Sequence, residues 1–343
     1  MKKSFRNLAM SLVAAAVMTG CGTEGNKPVS LILDTDVGND IDDVLALQMM
    51  INYDKAGIID LKAVTISKCN KHSLEFADGY LRYNGLEDIP LGFAYNGDSP
   101  DNYYYLLPTL AATADGGKIL KPQVDTNDVE PGHIVLRRQL AASKEDNSIV
   151  LVAIGPLTNI GRLLESKADE ISPLNGIELM KKKAKALYLM GGMFSEDKTP
   201  EWNIRGDIPA AQVVFSKCPV PLVASGYEVG CAVHYPHQSI ETDFGDMDRN
   251  PLTIAYCHYG TMPYDRETWD LTAAYQAAEP DNDLFGLSEP GRIVIEDDGL
   301  SVFTPDPKGI QRYMIIAPDR TKEAQDSLVA RVKGMAGIIG KIK

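Results

Sequence analysis

Mostly apolar runs of strand length alternate along this chain with helix-length segments, and that alternation restricts the fold more than any other feature. VSLILDTD (Val29–Asp36), DLKAVTIS (Asp60–Ser67), SIVLVAIG (Ser148–Gly155), KALYLMGG (Lys185–Gly192) and CPVPLVAS (Cys218–Ser225) read as buried strands. Helical segments fall between and after them, at Asp42–Tyr53, Ser73–Tyr83, Gly132–Ser143, Thr158–Ser166 and Ile208–Ser216. Strands that are apolar on both faces need cover on both. The pattern therefore predicts an α/β fold, a doubly wound, largely parallel sheet with helices on both faces. In such sheets ligands bind outside the carboxyl ends of the strands. The stretch Asn96–Pro131, rich in Tyr, Asp, Gly and Pro, is read as either an insertion beside that site or a surface excursion. Arg292–Asp297 and Arg312–Pro318 suggest an accessory hairpin before a last helix from Asp319 to about Lys333.

Ahead of the first strand the chain has a different character. Lys2, Lys3 and Arg6 precede an apolar stretch from Leu8 to Val17 and then Met18-Thr19-Gly20-Cys21. That order is the one of a secretory signal, and the apolar run is too short to span a bilayer. A cysteine just after a small residue resembles a bacterial lipobox, which makes Cys21 the expected acylation site. The expected division is a lipoprotein signal peptide at 1–20, a tether at 21–28 and one globular domain at 29–343, held to the cell envelope by lipid alone, periplasm-facing or surface-exposed. With 44% hydrophobic and 24% charged residues, the remainder has the composition of a folded domain. The net charge of −13 argues against a nucleic-acid partner, because such a surface repels phosphates. Cys69, Cys218, Cys231 and Cys257 are scattered, which favours buried free thiols and points to no particular disulfide.

Chemistry concentrates in DTDVGNDIDDVLALQMM, where a strand ends in Asp34-Thr35-Asp36, turns at Gly38 and enters a helix through Asp40, Asp42 and Asp43. Helix capping accounts for one or two of these acids. Five carboxylates within ten residues call for a positive neutraliser, and an oxygen-only donor set selects a hard cation, Ca²⁺ or Mg²⁺. The spacing does not fit an EF-hand loop. His234 and His237 form an H-x-x-H without a clustered third ligand, the pattern of structural or exposed histidines.

The acidic string resembles the signature of the inosine-uridine-preferring nucleoside hydrolase family, commonly D-x-D-P-G-x-D-D, with Val37 for the proline and two additional residues before the paired aspartates. Further segments follow in the family's order. Asn70 closes AVTISKCN, Ile154-Gly155-Pro156-Leu157-Thr158-Asn159 is similar to its G-P-L-T-N segment, and Thr199-Pro200-Glu201-Trp202-Asn203-Ile204 is similar to its sugar-binding stretch. Asp197 stands where another asparagine is common, and Trp269-Asp270 stands where the family has a late His-Asp pair.

The resemblance implies a cofactor and a reaction: Ca²⁺ held by Asp36, Asp43, Asp270 and the Ile154 carbonyl, and hydrolysis of an N-riboside into base and ribose. Asp36 is the implied general base. Asp40 or Asp42, Asn70, Asp197, Glu201, Asn203 and Trp269 are the implied substrate contacts. Trp269 is the departure that matters, because an indole cannot protonate a leaving base as a histidine can. Tyr103, Tyr104, Tyr105, His258 and Tyr264 are the alternatives for that proton, and Glu228 is a further pocket candidate. The partner is a small nucleoside or riboside, and assembly into a homo-oligomer is left open. Two other readings stay in view, a related furanosidase with a different leaving group and a non-catalytic, lipid-anchored protein that captures nucleosides or sugars.

Overall fold

A computed structural model of the protein describes residues 27–97, 104–196 and 198–334. The signal segment, Cys21 and most of the tether, together with Tyr103 and Asp197, lie outside the described residues. The sheet runs from edge to edge as Leu91–Phe93, Ile59–Ile66, Val29–Thr35, Ile149–Ala153, Ala184–Met190, Leu222–Ser225, Gln311–Ile315, Gly291–Ile295 and Ser301–Pro305. The first seven are mutually parallel, and the last two add antiparallel.

Strand order reverses beside Val29–Thr35. The next two strands in the chain pair outward on one side, whereas Ile149–Ala153 and its successors build outward on the other. That reversal opens a crevice at the carboxyl end of Val29–Thr35, where Asp34 and Asp36 lie.

Alternate residues of each strand serve opposite layers. Leu31, Leu33, Val150 and Val152 pack with the helices Asp42–Lys55, Lys71–Tyr83, Trp269–Ala278 and Thr321–Val332. Ile32, Leu151 and Ala153 pack with Gly132–Ala142, Thr158–Glu165 and Ile208–Lys217 on the other side. Among the described residues no helix is long and apolar enough to cross a membrane, and Cys69, Cys218, Cys231 and Cys257 are free.

The C-terminal expectation needs correction. Arg292–Asp297 and Arg312–Pro318 are antiparallel neighbours, meeting at Gly291 and Gln311, but do not form a hairpin; Gly291–Ile295 pairs along its length with Ser301–Pro305, and Gln311–Ile315 joins the main sheet parallel to Leu222–Ser225. The tight turn between Glu296 and Leu300 makes that closer pairing available, and SVFTP supplies the partner strand. Within Asn96–Pro131 the described part holds a short helix, Leu106–Ala111, and a two-stranded hairpin of Thr113–Ala114 with Gly117–Lys118.

One buried side chain ties the rim of the crevice together. Asn159, in the first turn of its helix, donates from Nδ2 to Asp34 Oδ1 at 2.8 Å and to the Ile66 carbonyl at 3.1 Å. Asn159→Ala leaves both acceptors short of a donor in the interior and should lower stability by about 2 kcal/mol. Urea denaturation with an unchanged slope measures this, and an unaltered midpoint would refute the tie.

Candidate functional site

Asp34 is buried at the end of its strand, where it accepts hydrogen bonds from Thr65 and Asn159, and burial pushes its carboxyl up to about 7. Beyond it the chain turns at Gly38, whose φ of +114° suits glycine and whose α-carbon faces Leu106 with no room for a side chain. The buried Tyr105 hydroxyl pins this turn, accepting from Gly38 N at 2.6 Å and donating to the Asp40 carbonyl at 2.7 Å. Asp42 and Asp43 then open the helix Asp42–Lys55, where its free amides favour negative charge.

A second helix start meets the first. Asp270 lies in the opening turn of Trp269–Ala278, and its backbone N–H donates to Asp42 Oδ2 at 3.0 Å. Asp42, Asp43 and Asp270, all buried, each place one carboxylate oxygen within 4.8 Å of the others. Thr35 Oγ1 donates to Asp43. Burial pushes all three carboxyls well above the ordinary range, and the neighbouring acids push them further. Three buried, mutually repelling carboxylates with oxygen-only donors fit a hard divalent cation.

These acids form the floor of a cleft of about 330 Å³, which Asp36, Ile154, Glu201 and Asn203 also line. Asp36 lies tight against Gly155, where a Cβ would fall 2.7 Å from Asp36 Oδ1 and 2.5 Å from Ser67 Oγ. Asn203 Nδ2 donates to the carbonyls of Ile154 and Met190, each at 3.2 Å, and so bridges two strand ends. Glu201 caps its short helix and accepts from the N–H groups of Asn203, Ile204 and Gly192; burial pushes its carboxyl up to about 7.

The opposite wall is aromatic and carries a cation. Trp269 donates its indole N–H to the Tyr227 carbonyl at 2.9 Å and stacks on the Tyr227 ring. Tyr104, Trp202, Tyr259 and Arg266 also line the cleft. Arg266 grips Asp40 with two N–H groups, and Asp40 also accepts from the Tyr259 hydroxyl at 3.1 Å.

The structure thus brings Asp36, Asp40, Asp42, Asp43, Ile154, Glu201, Asn203, Trp269 and Asp270 to one cavity. Asn70 is not among its lining residues; its side chain caps the following helix through His72 N. Of the described alternatives for a proton donor, only Tyr104 lines the cleft. Tyr105 is turned inward, Tyr264 stacks on Tyr256, and His258 is exposed. Glu228 is engaged by the amides of Phe194 and Ser195, and His237 pairs with Asp265. Arg266, Tyr259 and Asn39 are lining residues that sequence reasoning missed; the one signal was the extra acid, Asp40, which needed a counter-charge.

An α/β fold with a carboxylate-floored cleft at its switch point defines the class, and comparison with known proteins defines the family. Residues 31–300 match the inosine-uridine preferring nucleoside hydrolase model, and the chain belongs to that family. It is 32% identical over 183 residues to the non-specific ribonucleoside hydrolase RihC of Escherichia fergusonii, covering 50% of this chain and 53% of that protein. It is 29% identical over 217 residues to the pyrimidine-specific ribonucleoside hydrolase RihA of Photobacterium profundum, covering 62% and 64%. The matches thus span between half and two thirds of these curated relatives. In fold it is similar to a purine-preferring ribonucleoside hydrolase from Gardnerella vaginalis, with a TM-score of 0.67 at 17% identity over 90% of this chain and 99% of that one. A plant nucleoside hydrolase gives a TM-score of 0.65 at 20% identity over 89% and 99%.

The crowding of acids carries a thermodynamic signature. Their raised folded values mean that the folded chain holds protons the unfolded chain would release, so cation-free stability falls as pH climbs out of the ordinary carboxylate range. Asp270→Asn removes one repelling charge and should raise the cation-free unfolding midpoint by about 2–4 °C. The same variant should lose most of the stabilisation a bound cation gives, which for a ligand at a hundredfold excess over its Kd is about 2.7 kcal/mol. Thermal melts in chelator and in excess calcium test both halves, and an equal calcium shift in wild type and variant would remove Asp270 from the cation site.

Proposed function

We propose that this protein is a lipid-anchored, calcium-dependent hydrolase that cleaves the N-glycosidic bond of a ribonucleoside or similar riboside into base and ribose. The observation that carries the reading is the meeting of Asp270 with Asp43 and with Asp42, 228 positions away in the chain, at a cleft also lined by Asp36 and Ile154. Membership of the family and the two relatives named ribonucleoside hydrolases support an N-riboside as substrate.

Asp36, Asp43 and Asp270, with the Ile154 carbonyl, would hold the ion, and Asp42 stands beside them. A calcium ion bound there would supply Lewis-acid polarisation of the oxygens it meets. Asp36 takes a proton from the attacking water as the C1′–N bond breaks. The surrounding carboxylates favour the positive charge that develops on the sugar in an oxocarbenium-like transition state. Glu201 and Asn203, fixed by their backbone partners, orient sugar hydroxyls with Asp42; Asp197 is a further candidate on the sequence alone. Asn70 joins them only by leaving its helix-cap bond. The basic, apolar and small-residue order of Lys2–Cys21 supports export and acylation at Cys21, with the cleft working in the cell envelope.

Incubation of the calcium-loaded protein with a panel of ribonucleosides should release free ribose, and a chelator should stop it. Asp36→Asn should lower kcat by about 10³-fold. Full activity in that variant would overturn the role of Asp36, and tight nucleoside binding without turnover would favour a capture protein instead.

A further inference from the structure

Arg266 sits on the cleft wall across from the acidic floor, and its geometry is unusually constrained. Its Nε donates to Asp40 Oδ1 at 2.9 Å, one terminal nitrogen donates to Asp40 Oδ2, and the other donates to Glu267 Oε2 at 3.0 Å. A guanidinium has five N–H groups, so two remain. The rings of Tyr259 and Trp269 lie 5.1 and 4.9 Å from its central carbon, within cation–π range. Trp269 is itself held by the Tyr227 carbonyl, so the cation rests against fixed aromatic planes. Asp40, the partner that aims it, belongs to the stretch in which this chain carries two more residues than the family signature.

We propose that Arg266 is the leaving-group residue of this enzyme: aimed by Asp40, it stabilises the departing group of a riboside as an anion bearing hydrogen-bond acceptors, in place of an acid that would protonate it. The inference rests on the hydrolase reading of the same cleft. In the step, water oxygen bonds to C1′ and gives up a proton, and the C1′–N electron pair leaves with the base. The base then takes its proton from solvent.

Among the described lining residues there is no histidine; the phenols of Tyr227 and Tyr259 are raised from their ordinary value, in the direction that makes them poorer acids, and Tyr104, the remaining phenol on the cleft, is 68% exposed to solvent. Positive charge preorganised where negative charge develops is the arrangement that favours a transition state over a ground state. The substrate class that fits is a riboside of a flat heteroaromatic ring with acceptor atoms on its edge, able to lie against Trp269 and meet the free N–H groups.

The test compares Arg266→Gln and Arg266→Lys with wild type, all calcium-loaded, on 4-nitrophenyl riboside, whose leaving group departs readily, and on inosine and uridine. Charge stabilisation matters most where the leaving group is poor. Arg266→Gln should therefore lose about 100-fold in kcat/KM on the nucleosides but less than about 5-fold on the nitrophenyl riboside, with Arg266→Lys recovering part of the loss. Hypoxanthine and uracil should also quench Trp fluorescence in wild type at lower concentration than in Arg266→Gln, a readout independent of turnover. Equal losses on all three substrates, or unchanged quenching, would overturn the role of Arg266 while leaving the hydrolase reading intact. A wild type that releases sugar from none of them would overturn the hydrolase reading itself, and this inference with it.

Discussion

Like charges forced together out of water govern this molecule. Asp42, Asp43 and Asp270 are buried and near one another, and the fold tolerates them because two helix amino-termini point their free amides into the same space. That arrangement joins the turn at Gly38 and the helix Asp42–Lys55 to the start of Trp269–Ala278, through the Asp270 N–H on Asp42. Helix ends lessen the repulsion without cancelling it, and the remainder is what a divalent cation can neutralise.

Around that floor the cleft is polarised. Carboxylates suited to positive charge line it together with the Arg266 guanidinium and several aromatic rings. Each wall is held by bonds that do not involve a ligand: Glu201 by three backbone N–H groups, Asn203 by two strand-end carbonyls, Arg266 by Asp40 and Glu267. Groups so fixed need little rearrangement when a substrate arrives, which is the physical content of preorganisation.

The strands bordering the crevice and most of the floor were legible in the sequence because burial on both faces leaves an unmistakable apolar run, and because acids crowded at a strand end repel one another unless a cation joins them. Asp42 shows the limit. Its approach to Asp270 depends on how two remote helices meet, and no spacing rule encodes that meeting. Arg266 was hidden for the same reason, since its partner Asp40 is 226 positions away and its aromatic neighbours come from different elements. At the C-terminus the reading failed on proximity: SVFTP is a short, mixed strand that became a partner only through the tight turn before it. Glu228, plausible as a pocket residue by position alone, is spent on the amides of Phe194 and Ser195.

A parallel sheet also gives the protein a front and a back. Val29 begins the central strand and Asp36 follows its far end, roughly 20 Å on at the usual rise of an extended chain. Lys27 and Pro28 therefore enter the sheet at its rear edge, and the cleft lies at the other end of the same strand.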